Sequence, residues 1–230
     1  MSFAPASSSE RYVLKDFPGS SHRWLARWVR ELPADRRVLE LGPGPGHVAR
    51  LARRPDLGWT GLESCLGTVS ELRRFVSAVA VVDLEDLRRL PRGYDVVLAG
   101  DTLEHLARPE KMLAMIHECL APGGLLFASV PNVANLHVRL SLLWGRFPYA
   151  DRGILDRTHR VFFTVDSFRD AVEVAGFVVE DWTVSTVPLP LALPRLPRPL
   201  VRVAAGILGA ATRVVPRLLG YQVLVRARRV

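Results

Sequence analysis

Short apolar runs, each closing on an acid or a glycine turn and most of them followed by a helical repeat, set the pattern of this chain. Val38-Leu-Glu-Leu41 runs into Gly42-Pro-Gly-Pro-Gly46, after which Val48, Leu51 and Ala52 recur at helical spacing. Gly58–Glu63 is a second short run ending in an acid, and Ala78–Val82 a third, ending at Asp83. Tyr94–Gly100 is a fourth, with a polar cluster from Asp101 to His105 at its end. Leu120-Ala-Pro-Gly-Gly stops a helix and turns into a fifth strand that leaves through Pro131-Asn132. Helical spacing appears between them at Leu66–Phe75 and at Met112, Leu113, Ile116 and Leu120, the latter behind Pro109 near the first turn. Ahead of the first strand, Trp24, Leu25, Trp28, Val29 and Leu32 form one helical face behind a serine cap. Alternating strands and helices predict a doubly wound, mostly parallel sheet whose strand ends hold a ligand.

The last third departs from this rhythm. Residues 133–163 are long, aromatic and polar, and they follow a strand that ends beside the expected ligand, which suggests a lid over a substrate. Thr164–Gly176 reads as a capped helix with a glycine stop, Phe177–Val184 as a strand, and Tyr221–Arg229 as an alternating, edge-like last strand. Seven strands are expected in all. Residues 187–199 are proline-rich and lead to a helix over Leu200–Leu219. On it Arg202, Gly206, Gly209, Arg213 and Arg217 share one narrow face, with apolar side chains around the rest. Its longest uncharged stretch, Val203–Thr212, is too short to span a bilayer. Two readings of this basic amphipathic helix stand: packing against the domain or a second subunit, or resting on an anionic membrane where it would help hold a lipid-like substrate. Residues 1–20 read as a flexible lead-in and 21–230 as one domain carrying the insert and the tail.

Chemistry concentrates at the strand ends. Three glycines at alternate positions mark a turn that a ligand approaches closely. A dinucleotide fingerprint would place its third glycine at position 47, where the chain has His47. Glu63 lies 21 positions after Gly42, where a carboxylate can accept both hydroxyls of a ribose. Glu85 and Asp86 suit the first turn of a helix, as acids complementing its dipole. Asp156 and His159 stand three apart; the acid either orients the imidazole as a proton acceptor or staples the loop.

The ordered series over residues 36–132 resembles the motifs of the class I S-adenosylmethionine-dependent methyltransferases. Glu40 and G-x-G-x-G look like their first motif, and Tyr94-Asp-Val-Val-Leu-Ala-Gly-Asp-Thr-Leu-Glu-His-Leu106 like their fourth, especially in the subgroup with Glu-His after the strand, which includes ubiquinone-pathway enzymes. The resemblance implies a Rossmann-like α/β fold with S-adenosylmethionine as cofactor. It assigns cofactor binding to Glu40, Gly42, Pro43, Gly44, Gly46, Glu63, Asp83, Leu84, Gly100 and Asp101, with Asp83 taking the adenine amino group and the backbone N–H of Leu84 the ring. The insert is similar to that of a bacterial methyltransferase group distantly related to the methionine-biosynthesis protein of methyltransferase type; Val161 departs from the arginine its members often carry. The expected reaction is methylation of a small molecule, O-methylation of a natural product, quinone, sugar or lipid-like acceptor, with His105 and His159, the latter beside Asp156, as catalytic candidates. A non-catalytic cofactor-binding partner or regulator of the same fold is the alternative. No metal is called for.

Composition adjusts this picture only at the edges. Of 31 basic residues, Lys15 and Lys111 are the only lysines, leaving 29 arginines spread along the chain, and the net charge is +8. That balance admits nucleic acid as a partner. The Pro131-Asn132 exit, however, is not the Asn/Asp-Pro-Pro-Tyr/Phe of many base methylators, and no nucleic-acid partner is expected. Cys65 and Cys119 make neither a disulfide nor a zinc pattern. No signal peptide is visible at the N-terminus, and a cytoplasmic location, peripheral to the membrane if the tail helix docks there, is the expectation. A homodimer is left open.

Overall fold

A computed structural model describes residues 13–193 and 197–230. The chain enters through helix α1 (Ser21–Arg30), capped by Ser20, whose hydroxyl accepts from the Arg23 amide. It continues through strand β1 (Arg37–Leu41), α2 (His47–Ala52), β2 (Gly58–Glu63), α3 (Leu66–Leu72), β3 (Ala78–Val81) and β4 (Tyr94–Gly100). Then come α4 (Pro109–Cys119), β5 (Leu120–Pro131), α5 (Leu136–Leu143), α6 (Val165–Val174) and β6 (Phe177–Val184). The short α7 (Leu189–Ala192), α8 (Arg198–Val214), α9 (Pro216–Leu219) and β7 (Gln222–Arg229) complete it.

The seven strands lie in the order β3-β2-β1-β4-β5-β7-β6, with only β7 antiparallel to its neighbours. The expected seven-stranded, mostly parallel sheet is therefore what forms. Strand order reverses between β1 and β4, the switch point beyond whose carboxyl ends open α/β sheets bind ligands. Alternation along each strand splits the core between the two faces. Val38, Val96, Leu98 and Phe127 meet α1 and α2 on one side, while Leu39, Leu41, Val97 and Leu126 meet α4 and α6 on the other. Each buried leucine contributes about 2 kcal/mol of hydrophobic stabilisation, so both faces hold the strand ends rigidly in place.

Two sequence expectations change. Residues 1–12 of the lead-in lie outside the described residues, but residues 13–20 are tied into the domain: Lys15 pairs with Asp101, and the Ser20 hydroxyl donates to the Lys15 carbonyl at 2.5 Å. The single helix over Leu200–Leu219 breaks at Val215, because Pro216 has no N–H to continue it. Arg217 thereby leaves the arginine face and pairs with Asp166 at 2.8 Å. The insert carries α5 and a small apolar cluster of Val138, Ile154 and Leu155.

Candidate active site

The turn after β1 is a backbone device. Gly42, Gly44 and Gly46 have φ of +62°, +55° and +83°, left-handed values that a side chain disfavours. Gly42 is also crowded: a Cβ there would stand 3.1 Å from Thr102 Oγ1, the hydroxyl that donates to the Leu41 carbonyl at 2.9 Å. Pro43 lies over Gly61, whose absent Cβ would meet its ring at 3.0 Å. Glu63, buried at the end of β2, accepts from the Gly44 amide and from the Cys65 amide, both at 2.7 Å. One oxygen serves each amide, so each keeps a lone pair for another donor.

Glu40 sits differently from the reading that grouped it with the turn. It points from β1 toward β2, where it is buried and accepts the Trp59 indole N–H at 2.9 Å. Burial pushes its pKa up to about 8, although the indole bond opposes the shift. Asp83 is exposed beyond β3 and accepts from the Glu85 amide at 3.0 Å. Leu84 begins a 3₁₀ turn and packs on the core. Glu85 stands with Asp86 in the first turn of that short helix, as expected, and it also accepts from the Ala107 amide (2.7 Å) and from Arg160 of the insert (2.8 Å).

At the end of β4, Gly100 has no room for a Cβ, which would lie 2.8 Å from Leu25 Cδ1. Asp101 follows at φ +54°. Its carboxylate receives Lys15 Nζ at 2.6 Å, Gln222 Nε2 at 2.5 Å and Ser129 Oγ at 2.7 Å. Burial alone would raise its pKa, but the Lys15 charge and these donors outweigh it and hold the acid below the usual carboxylate range. Burial likewise works against the Lys15 ammonium, and the Asp101 charge reverses the sign, so the lysine is held above its ordinary value. Neither Lys15 nor Gln222 was singled out in the sequence. Lys15 left a trace there, as one of two lysines in an arginine-rich chain.

Beside Asp101 lies a histidine pair that the insert completes. The amides of Arg160 and Val161 donate to the Glu104 carbonyl at 2.8 and 3.1 Å, which seats the insert on the 3₁₀ turn after β4. His105 and His159 then face each other edge to plane, with ring centroids 4.9 Å apart. Among the described residues Asp156 makes no hydrogen bond to the His159 ring. It accepts from the amide and hydroxyl of Thr158 at 2.8 and 2.6 Å, and Thr158 Oγ1 lies 3.1 Å from His105 Nδ1. The hydroxyl proton being committed to Asp156, the oxygen accepts, and His105 Nδ1 carries its proton. His159 Nδ1 donates to the Ile154 carbonyl at 3.0 Å. Both Nε2 atoms are therefore left as acceptors. Burial lowers the pKa of His159 against the opposing Ile154 bond, which favours the neutral ring.

Glu104, buried between these groups, has no hydrogen-bond partner for either carboxylate oxygen among the described residues. Burial and the neighbouring Asp101 charge raise its pKa well above the carboxylate range. One of its oxygens and one nitrogen of each histidine lie within 4.8 Å of one another, a set of donor types that can hold a divalent cation. The Glu-His dipeptide of the fourth motif was the visible signal for Glu104.

A family profile described as "Methyltransferase domain" matches residues 14–181. The chain is 32% identical over 165 residues to trans-aconitate 2-methyltransferase of Methylobacterium nodulans, covering 68% of this chain and 63% of that protein. It is 26% identical over 151 residues to ubiquinone biosynthesis O-methyltransferase of Pseudomonas syringae pathovar tomato, covering 55% and 65%. It thus spans less than two thirds of the length of either relative. Among solved structures, an S-adenosylmethionine-dependent methyltransferase from Mesorhizobium loti shares the fold at 20% identity, with a TM-score of 0.59 over 92% of this chain and 99% of that one. With the G-x-G-x-G turn at the β1–β4 switch point and the profile covering most of the sequence, the chain belongs to the class I S-adenosylmethionine-dependent methyltransferases.

Proposed function

We propose that this protein binds S-adenosylmethionine across the carboxyl ends of β1–β4 and transfers its methyl group to a hydroxyl of a small-molecule acceptor under the insert. The observation that carries the reading is the pairing of two features at one switch point: three left-handed glycines backed by Glu63, and two histidines with free Nε2 atoms. When bound, the cofactor supplies an electrophilic methyl on a positively charged sulfur. Around it, Glu63 accepts the ribose hydroxyls with its remaining lone pairs, and Asp83 with Leu84 takes the adenine edge. Lys15 is the cation nearest Asp101 and suits a carboxylate on the cofactor's amino-acid end. His105 and His159 each turn an Nε2 acceptor to the site, and either accepts the acceptor's hydroxyl proton there as its oxygen becomes a nucleophile. The insert orients the acceptor and excludes water.

Glu104 favours a second reading of the proton step. A divalent cation held by Glu104, His105 and His159 would lower the pKa of a bound hydroxyl and satisfy the orphaned carboxylate. Turnover that is lost on chelation and restored by a divalent ion selects this route; turnover indifferent to chelator selects the imidazoles. One relative is named for trans-aconitate, a small organic acid, and the other for O-methylation in ubiquinone biosynthesis, which supports starting the acceptor screen with small carboxylates and phenols. The first test is calorimetry with S-adenosylmethionine and S-adenosylhomocysteine, with NAD as control. Micromolar binding of the first two and none of NAD is expected; no binding of either overturns the reading in favour of a scaffold whose glycine turn no longer holds a cofactor, whereas binding without turnover of any acceptor favours the non-catalytic cofactor-binding partner.

A further inference from the structure

Helix α8 has two apolar faces, and only one of them is used. Val201 and Thr212 are buried against the domain. Leu200, Val203, Ile207 and Val214 are 60–80% exposed, and at 100° per residue they fall within about 60° of one another. This is a stripe of large side chains along the whole outer side of the helix. A second stripe stands on α5, where Leu136, Leu140 and Leu143 repeat at i, i+4 and i+7; Leu143 and Trp144 are 78% and 81% exposed. Singly exposed apolar residues are ordinary, whereas aligned ones on two helices are not.

Both helices leave the same end of the sheet. β5 ends at Pro131 opposite Gln222, the first residue of the antiparallel β7. The Asn132 and Asn135 side-chain amides each donate to the Gly220 carbonyl at 2.9 Å, joining the root of α5 to the end of α9. That is also the end at which β1 and β4 present Gly42 and Asp101.

Charge identifies the occupant. Residues 182–230 contain eight arginines and no Asp, Glu, Lys or His, and this segment accounts for the whole net charge of +8. Arg217, Arg226 and Arg228 pair with acids elsewhere. Arg198, Arg202 and Arg213 on α8 are exposed and make no ion pair among the described residues. A second copy of the helix would bring the same arginines and no acid to meet them. Among the described residues no helix is long and apolar enough to cross a membrane. An apolar stripe bordered on one side by a face of unpaired arginines, on a helix of this kind, suits the plane of an anionic bilayer.

We propose that α8, assisted by the outer side of α5, docks the protein on an anionic lipid surface. Leu200, Val203, Ile207 and Val214 enter the acyl boundary, and Arg198, Arg202 and Arg213 lie among the headgroups. Resting on the methyl-transfer reading, the acceptor class that follows is an amphiphile presented at that surface, its reactive hydroxyl entering under the insert.

The test is co-sedimentation of the full chain with phosphatidylcholine vesicles, with and without phosphatidylglycerol. Pelleting is expected with the anionic vesicles, falling with salt. Arg202→Gln with Arg213→Gln should bind them roughly thirtyfold more weakly, and Val203→Glu with Ile207→Glu should abolish pelleting. Calorimetric titration of S-adenosylmethionine into the same variants reports that they are folded, and the arginine pair keeps the test decisive if the glutamates misfold. Wild-type protein that stays in the supernatant with anionic vesicles overturns the proposal, as does pelleting that these variants leave unchanged. A dimer that Val203→Glu with Ile207→Glu converts to a monomer, without vesicle binding, overturns it in favour of a second copy. Failure of the methyl-transfer reading would appear as absent cofactor binding and would leave pelleting untouched.

Discussion

The glycine turn after β1 and the histidine pair under the insert lie at the same end of one sheet, yet they are made in opposite ways. The turn is backbone: three residues without side chains, left-handed φ angles, and one buried carboxylate gripping two amides from a span of 22 residues, Gly44 to Cys65. The histidine site is made of side chains from segments more than 50 positions apart, His105 with Thr158 and His159, brought together when the insert settles on the Glu104 carbonyl. A backbone site is robust to packing changes but intolerant of any side chain. A side-chain site assembled over long range depends on each tether, and its acid acts through an intermediary. The first suits a constant cofactor; the second is the place where an acceptor can vary.

Substitution should separate the two. The largest effect is expected from His105→Gln and His159→Gln, assayed with the acceptor found by screening: turnover falls about a hundredfold or more in at least one, while calorimetry shows unchanged cofactor affinity. Turnover that survives both changes would remove the imidazoles from the mechanism. Gly42→Val should do the reverse. A β-branched side chain at φ +62°, with its Cβ 3.1 Å from Thr102 Oγ1, costs about 3 kcal/mol, so cofactor affinity drops about a hundredfold. Equal affinity in Gly42→Val would break the contrast at its backbone side.

The smallest effect concerns Glu40, which the resemblance grouped with the cofactor residues and which the structure turns toward Trp59. Its pKa is pushed up to about 8 in the fold, against about 4.3 in an unfolded chain. Between those values the unfolded state releases a proton that the folded state keeps. Folding stability therefore falls as pH rises across that window, by at most about 1.4 kcal/mol per pH unit. Glu40→Gln keeps an acceptor for the indole and removes the titration. Denaturant midpoints of the variant and the parent should match near pH 4.5 and diverge in favour of the variant toward pH 8. Parallel midpoints at all pH values would show that Glu40 is ionised in the fold.

Much of this is legible in the sequence alone. Apolar runs between helical repeats specify a parallel sheet because each strand is buried on both faces, and acids and glycines at run ends mark where the backbone must turn toward a ligand. These signals are local, each within a stretch of chain that folds the same way in any protein of this architecture. The Glu63 position, the serine cap of α1 and the glycine stop of α6 are of this kind.

What only the tertiary structure decided concerns partners distant in sequence. Spacing suggested Asp156 for His159, but the Thr158 turn hands that acid to His105 and leaves His159 to a backbone carbonyl. Lys15 read as part of a flexible lead-in, and the fold brings it 86 positions across to Asp101. The amphipathic pattern of α8 identified an apolar helix without saying which side meets the domain, because Val201 and Val203 are equally apolar and only the packed sheet end distinguishes them. Local pattern decides where strands and turns form, since burial and backbone sterics act within a few residues. Side-chain pairing follows from how those elements close on one another, which a single sequence read along its length does not contain.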